Sequence, residues 1–478
     1  MVELNVDCLI LIFNELQTDK ESLYACLLVN REWCHLVVPI LWKKYSWYYD
    51  YEESEKKLFN IILSSLSSSS KQLLSDNDIK LPSTIFLKPL LFNYISYCKF
   101  LEVEIIDKII NMVFEEEIIT ENIYDKKNLL EQEIYKLFIV QCKNIKELSW
   151  QTLQPLSLFP GASICFSQLY SLSIDVDFVN SDALYEMTKI CKDLNELTVY
   201  DCSQDHPGLI SLIDVQRNLK RVSLYSYSKK GICKELSKAL TRKGNTISDL
   251  GLYPVSIIQP SFLTSLINLR NMSIYNYHND NIEKEILEFQ KYLAISEFPK
   301  LQSLNVYGLS SFRELAILIE KTKGNILEIY IYIYNKAAEN TEMLIKAIAN
   351  NCSKIERLST HLDPKDFIHV KSLLLNCKNL IHLEFNSLSF LLSENDNTGD
   401  ELLDNLTEFA PKSLAEIIIS GDWKYSIDAL ERFFESCRER NLNRFDITHY
   451  GRYYITDDHK VTIRKYINEG VIIESNCA

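Results

Sequence analysis

At 478 residues, with 47% hydrophobic and 24% charged content, the chain is too long for one compact globule, and two or more units or one extended repeat array are expected. Its net charge of −14 argues against general binding to nucleic acid or to an anionic membrane, because both need an excess of Lys and Arg. The thirteen cysteines include no CxxC pair, which argues against a zinc site or a redox motif, so no metal and no cofactor is expected.

The N-terminus places Glu3 and Asp7 around a short apolar run, without the basic start of a secretory leader. No apolar run approaches the roughly 18 residues needed to cross a bilayer. A soluble intracellular protein with reduced thiols, cytoplasmic or nuclear and not held at a membrane, is expected.

Leu9, Ile12, Phe13 and Leu16 recur at helical spacing, and a polar break follows at Gln17 to Lys20. A second run holds Leu23, Cys26 and Leu27, and a third holds Trp33, Leu36 and Val37. Two or three short helices are predicted, with Pro39 ending the last and Leu41-Trp42 folding back onto the unit. So small a unit keeps more large apolar side chains than it can bury alone, and some should meet a partner.

These 47 residues resemble the F-box family. The match runs through Leu4, Leu9, Ile12-Phe13, Leu16, Leu23, Val29-Asn30-Arg31, Trp33 and Leu41-Trp42, while Asn5 stands where that family usually has proline. The resemblance implies a three-helix module that binds a Skp-type adaptor and, through it, a cullin-RING ubiquitin ligase of the SCF type. It places Leu4, Leu9, Ile12, Phe13, Val29 and Trp33 at or directly behind the adaptor interface. A private three-helix core is the alternative role for the same residues.

Residues 48–86 read as a linker, in which the serine-rich stretch 64–83 is expected to form a flexible loop. Residues 87–140 carry mostly helical spacing, as in Ile105, Ile109 and Val113 and then Leu130, Ile134, Leu137 and Phe138, and read as a helical bridge and N-terminal cap. From Ile145 the pattern LxxLxL recurs twelve times, with copies beginning at Ile145, Leu169, Leu194, Leu219, Ile247, Leu269, Leu301, Ile326, Ile355, Leu380, Leu414 and Leu442. Its third member is apolar in every copy except at Thr360.

The last two apolar residues of each copy stand two apart and so point inward from one face of a short strand. Helical patterns lie between, such as Ser181 leading to Leu184, Met187 and Ile190, or Ser311 with Glu314 as a capping box ahead of Leu315 and Gly324. The expected fold is α/β: a three-helix start, then a solenoid over 141–450 with a curved parallel sheet inside and helices outside, closed by a cap at 451–478. Cys142, Cys191, Cys352 and Cys377, three residues before a copy, and Cys202 after a strand resemble the cysteine-containing class of leucine-rich repeats. Their expected role is buried packing. The chain as a whole is similar to an expanded fungal family of F-box proteins with degenerate repeats.

The residue after each third apolar member should point onto the concave sheet. That position holds Gln151, Asp175, six tyrosines in consecutive copies (Tyr200, Tyr225, Tyr253, Tyr275, Tyr307 and Tyr332), then His361, Asn386, Ser420 and Thr448. The neighbouring row is mostly small, with Ser149, Ser173, Thr198, Ser223, Gly251, Ser273, Asn305, Tyr330 and Ser359. Wide rings beside a small floor suit recognition of a protein substrate, although tyrosine also simply favours strands. The outermost row mixes signs.

One basic stretch, Arg217 to Lys243, carries nine Lys or Arg against Glu235 alone; it is a candidate for phosphate, an acidic peptide or an inositol phosphate, but such a run is more often the solvated convex side of a helix. No HExxH, phosphate-binding glycine loop or GxSxG appears, so no catalytic residue is assigned. The expected role is substrate recognition for a ubiquitin ligase, with a non-degradative repeat scaffold or inhibitor as the alternative.

Overall fold

The computed structural model describes residues 5–43, 52–83, 90–115, 122–227, 231–276, 283–309, 312–333, 340–388, 398–421, 423–440, 442–448 and 455–477. They form an α/β protein in which parallel strands alternate with helices. Two compact units are distinguished: Met1–Asp201 with His206–Leu219, and Cys202–Asp205 with Lys220–Ala478.

The first unit opens with three helices, α1 (Val6–Glu15), α2 (Lys20–Leu27) and α3 (Arg31–Lys43). Each begins on a polar side chain that accepts a backbone N–H left without a helical partner. Asn5 accepts from Asp7 at 3.2 Å, Asp19 from Ser22 at 3.1 Å and Asn30 from Trp33 at 2.8 Å. Leu9, Phe13, Leu23 and Val37 form the core between them, with Leu16, Leu27, Trp33, Leu36 and Leu41 packed around it.

Pro39 does not end α3, which runs on to Lys43. The ring removes one backbone donor, but Val37, Val38, Ile40 and Leu41 on either side are buried or half-buried, and that packing carries the helix past it. Trp42 then sets its ring 4.6 Å from that of Tyr94, and Lys99 N–H donates to the Lys43 carbonyl at 3.2 Å.

The serine-rich stretch is not an open loop. It carries the end of α4 (Glu52–Ser64) and α5 (Ser68–Asp76). Ser67 caps α5 by accepting from Ser70 N–H at 3.0 Å, and Leu58, Phe59, Ile62, Leu63, Leu66, Leu74 and Ile79 are buried. Serine composition suggested disorder, yet a serine at an N-cap starts a helix, and the leucines and isoleucines between supply the apolar side that holds it.

The bridge contains the short strand β1 (Phe100–Leu101) and the helices α6 (Val103–Val113) and α7 (Ile123–Gln141). The strand was not foreseen; it pairs with β2 (Glu147–Trp150), placing Leu101 beside Leu148. After β2 come β3 (Ser171–Asp175) and β4 (Glu196–Tyr200), in register through Leu148, Leu172 and Leu197. The helix Ser181–Ile190 buries Leu184 and Met187, leaves Ile190 half-buried, and is capped by Asn180.

The second unit carries β5 (Arg221–Tyr225), β6 (Asp249–Tyr253), β7 (Asn271–Tyr275), β8 (Ser303–Tyr307), β9 (Glu328–Tyr332), β10 (Arg357–Leu362), β11 (His382–Ser387), β12 (Glu416–Ser420), β13 (Leu442–Thr448) and β14 (Ile472–Glu474). Each is parallel to the next, and the second apolar residue of one copy lies beside that of its neighbour, from Val222 and Leu250 through to Ile417 and Phe445. The third members are buried too, Thr360 included, and the Thr360 hydroxyl has no partner. Gly324, at φ +67°, follows the helix Phe312–Glu320 in the left-handed region that glycine adopts readily. Ser311, expected to cap that helix, lies outside the described residues. The C-terminal helix Asp457–Asn468 starts on a capping box between Thr456 and His459 and leads into β14.

Cys142, Cys191, Cys202, Cys352 and Cys377 are all buried, in keeping with a packing role. The Cys142 thiol donates to the Ile95 carbonyl at 3.0 Å, and burial pushes Cys191 up to about 11 and Cys377 up to about 12.

Candidate functional site

Five of the six tyrosines form a ladder in the second unit. The strands put successive rings at the strand spacing of about 4.8 Å, and the rings stack. Centroids of Tyr225 and Tyr253 are 4.3 Å apart at 6°, of Tyr253 and Tyr275 4.8 Å at 19°, and of Tyr275 and Tyr307 4.4 Å at 7°. The ladder then opens: Tyr332 is tilted by 38° at 5.9 Å from Tyr307, and His361 by 52° at 5.7 Å from Tyr332. Tyr200 belongs to the first unit, at the end of β4.

Backbone bonds past the strand ends hold these residues in register. Ser226 N–H donates to Tyr253 O at 2.8 Å, Asn276 N–H to Tyr307 O at 2.9 Å and Gly308 N–H to Tyr332 O at 2.8 Å. Gly308 sits at φ +81°, where a Cβ would meet the Asn276 carbonyl oxygen at 2.0 Å, so only glycine lets the chain turn there. Gly251 serves the ladder differently: a Cβ would lie 2.8 Å from the Tyr253 ring and 2.9 Å from Ser223 Oγ. The small floor is what lets the ring lean over it.

The faces of the stacked rings cover one another, and all five ladder tyrosines are half-buried. Burial, then the neighbouring Tyr253, holds the Tyr225 phenol well above the usual tyrosine range, so it stays protonated.

The row predicted to face outward is not outward along its whole length. Asp175, His361, Asn386 and Ser420 are buried. Each is tied down by a local bond: Asp175 accepts from Asp177 N–H at 3.0 Å, His361 Nε2 from Ile333 N–H at 3.1 Å, Asn386 donates to Glu384 at 3.3 Å, and Ser420 bonds Thr448. The mixed signs of the outermost row are partly paired: Glu416 lies 2.8 Å from His382 and 3.9 Å from Arg357, and Arg444 lies 2.5 Å from Asp446.

At the N-terminus the sequence-derived set separates into two layers. Leu9 and Phe13 are core residues, and Phe13 packs edge-on against the half-buried Trp33 at 5.1 Å. Ile12 is 45% and Val29 56% exposed. Leu4 lies outside the described residues. Sequence reasoning missed Leu11 at 67% and Leu28 at 88% exposure, because neither belongs to the family pattern; the available signal was their place off the helical stripe that forms the core.

Two of the charges of the basic stretch are paired. Arg217 pairs with Asp193 at 2.6 Å in the first unit and Lys238 with Glu235 at 2.7 Å in the second, while Lys229 and Lys230 lie outside the described residues. Asp205 caps the helix Lys234–Arg242 through the backbone N–H groups of Lys234, Glu235 and Leu236, at 3.1, 3.0 and 2.9 Å. Among the described residues no helix is long and apolar enough to cross a membrane. No protein-family model matches the chain, and no curated protein matches it.

Proposed function

We propose that this chain is the substrate-recognition subunit of an SCF-type ubiquitin ligase. In this reading the three N-terminal helices are an F-box that binds a Skp-type adaptor, and the strands and helices behind them are leucine-rich repeats that hold a target protein on the tyrosine face. The observation that carries it is the layering of the helical unit: Leu9 and Phe13 hold its core while Ile12, Leu28 and Val29 stand in solvent. Large apolar side chains left outside a satisfied core need another surface. Asn5, where the F-box family has proline, fixes the start of α1 by its side-chain cap instead of by a ring.

The chain's contribution is positional. Holding adaptor and target together raises the local concentration of target lysines near the ubiquitin carrier, and the chemistry belongs to the enzymes recruited. The test is co-expression with a Skp-type adaptor, comparing the parent with Ile12→Asp and Val29→Asp. Both positions are exposed, so the variants keep the fold while charging the proposed interface. A complex in the parent that both changes abolish supports the reading. No complex in the parent, or one indifferent to both, leaves the non-degradative scaffold.

A further inference from the structure

We infer that the rim of the second unit at which strands β6 to β12 begin is a docking surface for an acidic segment of another protein, one that carries aliphatic side chains among its carboxylates. This rim is separate from the tyrosine face, because the ladder rings stand at the ends of their strands and the rim at the starts. Nothing in it requires an F-box or a target held by the tyrosines.

The first ground is charge. The chain has a net charge of −14, yet every turn that leads from a helical segment into one of these strands brings at least one base to the rim. Over 242–248, 265–270, 295–302, 320–327, 351–356, 376–381 and 409–415 there are nine Lys or Arg against Glu297, Glu320 and Glu356. Arg270, Lys300, Lys321, Lys323, Lys354 and Lys378 are all exposed. The acids that open the strands are engaged on the sheet: Asp249, Glu328 and Glu416 are bonded to Asn271, Ser303 and His382.

The second ground is how these charges are held. Lys300 Nζ donates to Asn268 Oδ1 at 2.7 Å, Lys354 Nζ to Asn325 Oδ1 at 3.3 Å and Lys321 Nζ to the Ala294 carbonyl at 2.6 Å. The two asparagines donate in turn to the copy before, Asn268 to the Asn245 carbonyl at 2.8 Å and Asn325 to the Pro299 carbonyl at 3.1 Å. A neutral acceptor fixes the place of an ammonium group without cancelling its charge. The bonds also set aliphatic side chains among the lysines. Ile267 and Ile295, 49% and 60% exposed, adjoin the Asn268 and Ala294 acceptors, and Leu375 and Ile381 are 46% and 37% exposed beside Lys378. Large apolar side chains repeated along a charged rim mark a contact surface.

The composition of the rim selects the partner. Single-stranded nucleic acid needs rings on which its bases stack, but of the two rings in these turns Phe298 is buried and Phe409 lies under Lys371 Nζ at 4.2 Å. An anionic membrane meets the repulsion of the whole chain and finds no exposed aromatic side chain in these turns to seat at its interface. A short peptide feels mainly the local charge, since fields fade over about 8 Å at physiological salt. Carboxylates answer the lysines, and aliphatic side chains between them answer Ile267, Ile295, Leu375 and Ile381.

The test uses the full chain and fluorescent peptides read by anisotropy. Seven turns at the strand spacing of ~4.8 Å span ~29 Å, or about nine extended residues at ~3.3 Å each. The probe is a peptide of that length in which glutamate alternates with leucine, set against one with serine for leucine and one with lysine for glutamate. It is expected to bind about tenfold more tightly than either, and less tightly as salt rises. Lys300→Gln with Lys354→Gln removes both charges while leaving an amide donor for each asparagine, and is expected to weaken the probe about tenfold. Ile295→Ser with Leu375→Ser, at exposed positions, is expected to weaken it several-fold and decides the matter if the glutamine pair fails to fold. Lys346→Gln, on the helix Thr341–Asn351 and paired with Glu342, should change nothing. Binding indifferent to the folded glutamine and serine pairs, or equal binding of the serine or lysine peptide, overturns the inference. So does capture of the chain by phosphatidylcholine vesicles with about one-fifth phosphatidylserine while the peptide is ignored.

Discussion

The three-helix start and the tyrosine ladder both display large side chains, and they do so in opposite ways. In the helical unit the core is complete without Leu28 and Val29, which are 88% and 56% exposed and contribute nothing to folding that can be seen. In the ladder every ring is half-buried against the next, so the same side chains hold the sheet face together and offer its edges. A surface of the first kind can be mutated without touching the fold. A surface of the second kind cannot, and its binding and stability effects must be separated by choice of substitution.

The largest effect that breaks this contrast is expected at Phe13. Phe13→Ala removes a fully buried ring and its contact with Trp33, and should cost about 3–5 kcal/mol. Hydrogen exchange across residues 5–43 should show the loss, while Leu28→Ala should stay within about 0.5 kcal/mol of the parent. Comparable losses at both positions would mean that the core and the exposed layer are not distinct.

Next comes the ladder. Tyr275→Ala deletes two stacked contacts, at 4.8 and 4.4 Å, and should destabilise the second unit by about 1–3 kcal/mol beyond lost burial. Tyr332→Ala loses tilted rather than stacked ring contacts and should cost less, as read by denaturant melts. Equal costs would show that stacking is not what orders the rings.

A smaller change sharpens the picture from the inner side of the sheet. Thr360→Val keeps the shape and removes a buried hydroxyl without a partner, and should raise stability by about 1 kcal/mol. A drop would mean that the hydroxyl is satisfied in solution. The smallest effect is alkaline. Because burial raises the Tyr225 phenol in the folded chain, its contribution is fully present below the unfolded tyrosine value of about 10 and is lost as pH climbs through the folded value. Tyr225→Phe should flatten that alkaline limb, and an unchanged profile would count against burial of the group.

The repeated strands were legible because period-two alternation survives in each LxxLxL copy: β2 to β13 each contain the last two members of one copy, and the paired registers match them. Shorter or context-dependent features were not. β1 and β14 have two and three residues, too few for alternation to show. Serine at an N-cap and serine in a loop look alike until the leucines around them are seen to be buried, and Pro39 reads as a stop until its neighbours are seen packed. The tyrosine row was visible as a row, but stacking depends on spacing between strands 22 to 32 residues apart in the chain. The burial of His361 depends on a bond from Ile333, which no local pattern reveals.

The deep thiols turn this chain into its own recorder of breathing. Cys142, Cys165, Cys191, Cys202, Cys233, Cys352, Cys377 and Cys437 are shut away along both units, whereas Cys8 is open. Alkylation needs the thiolate, and burial pushes Cys191 up to about 11 and both Cys165 and Cys377 up to about 12. At neutral pH these sulfurs react only while their own repeat is open. A timed pulse of reagent followed by peptide mass mapping therefore reads, copy by copy, which turns come apart first, with no label introduced and no residue changed.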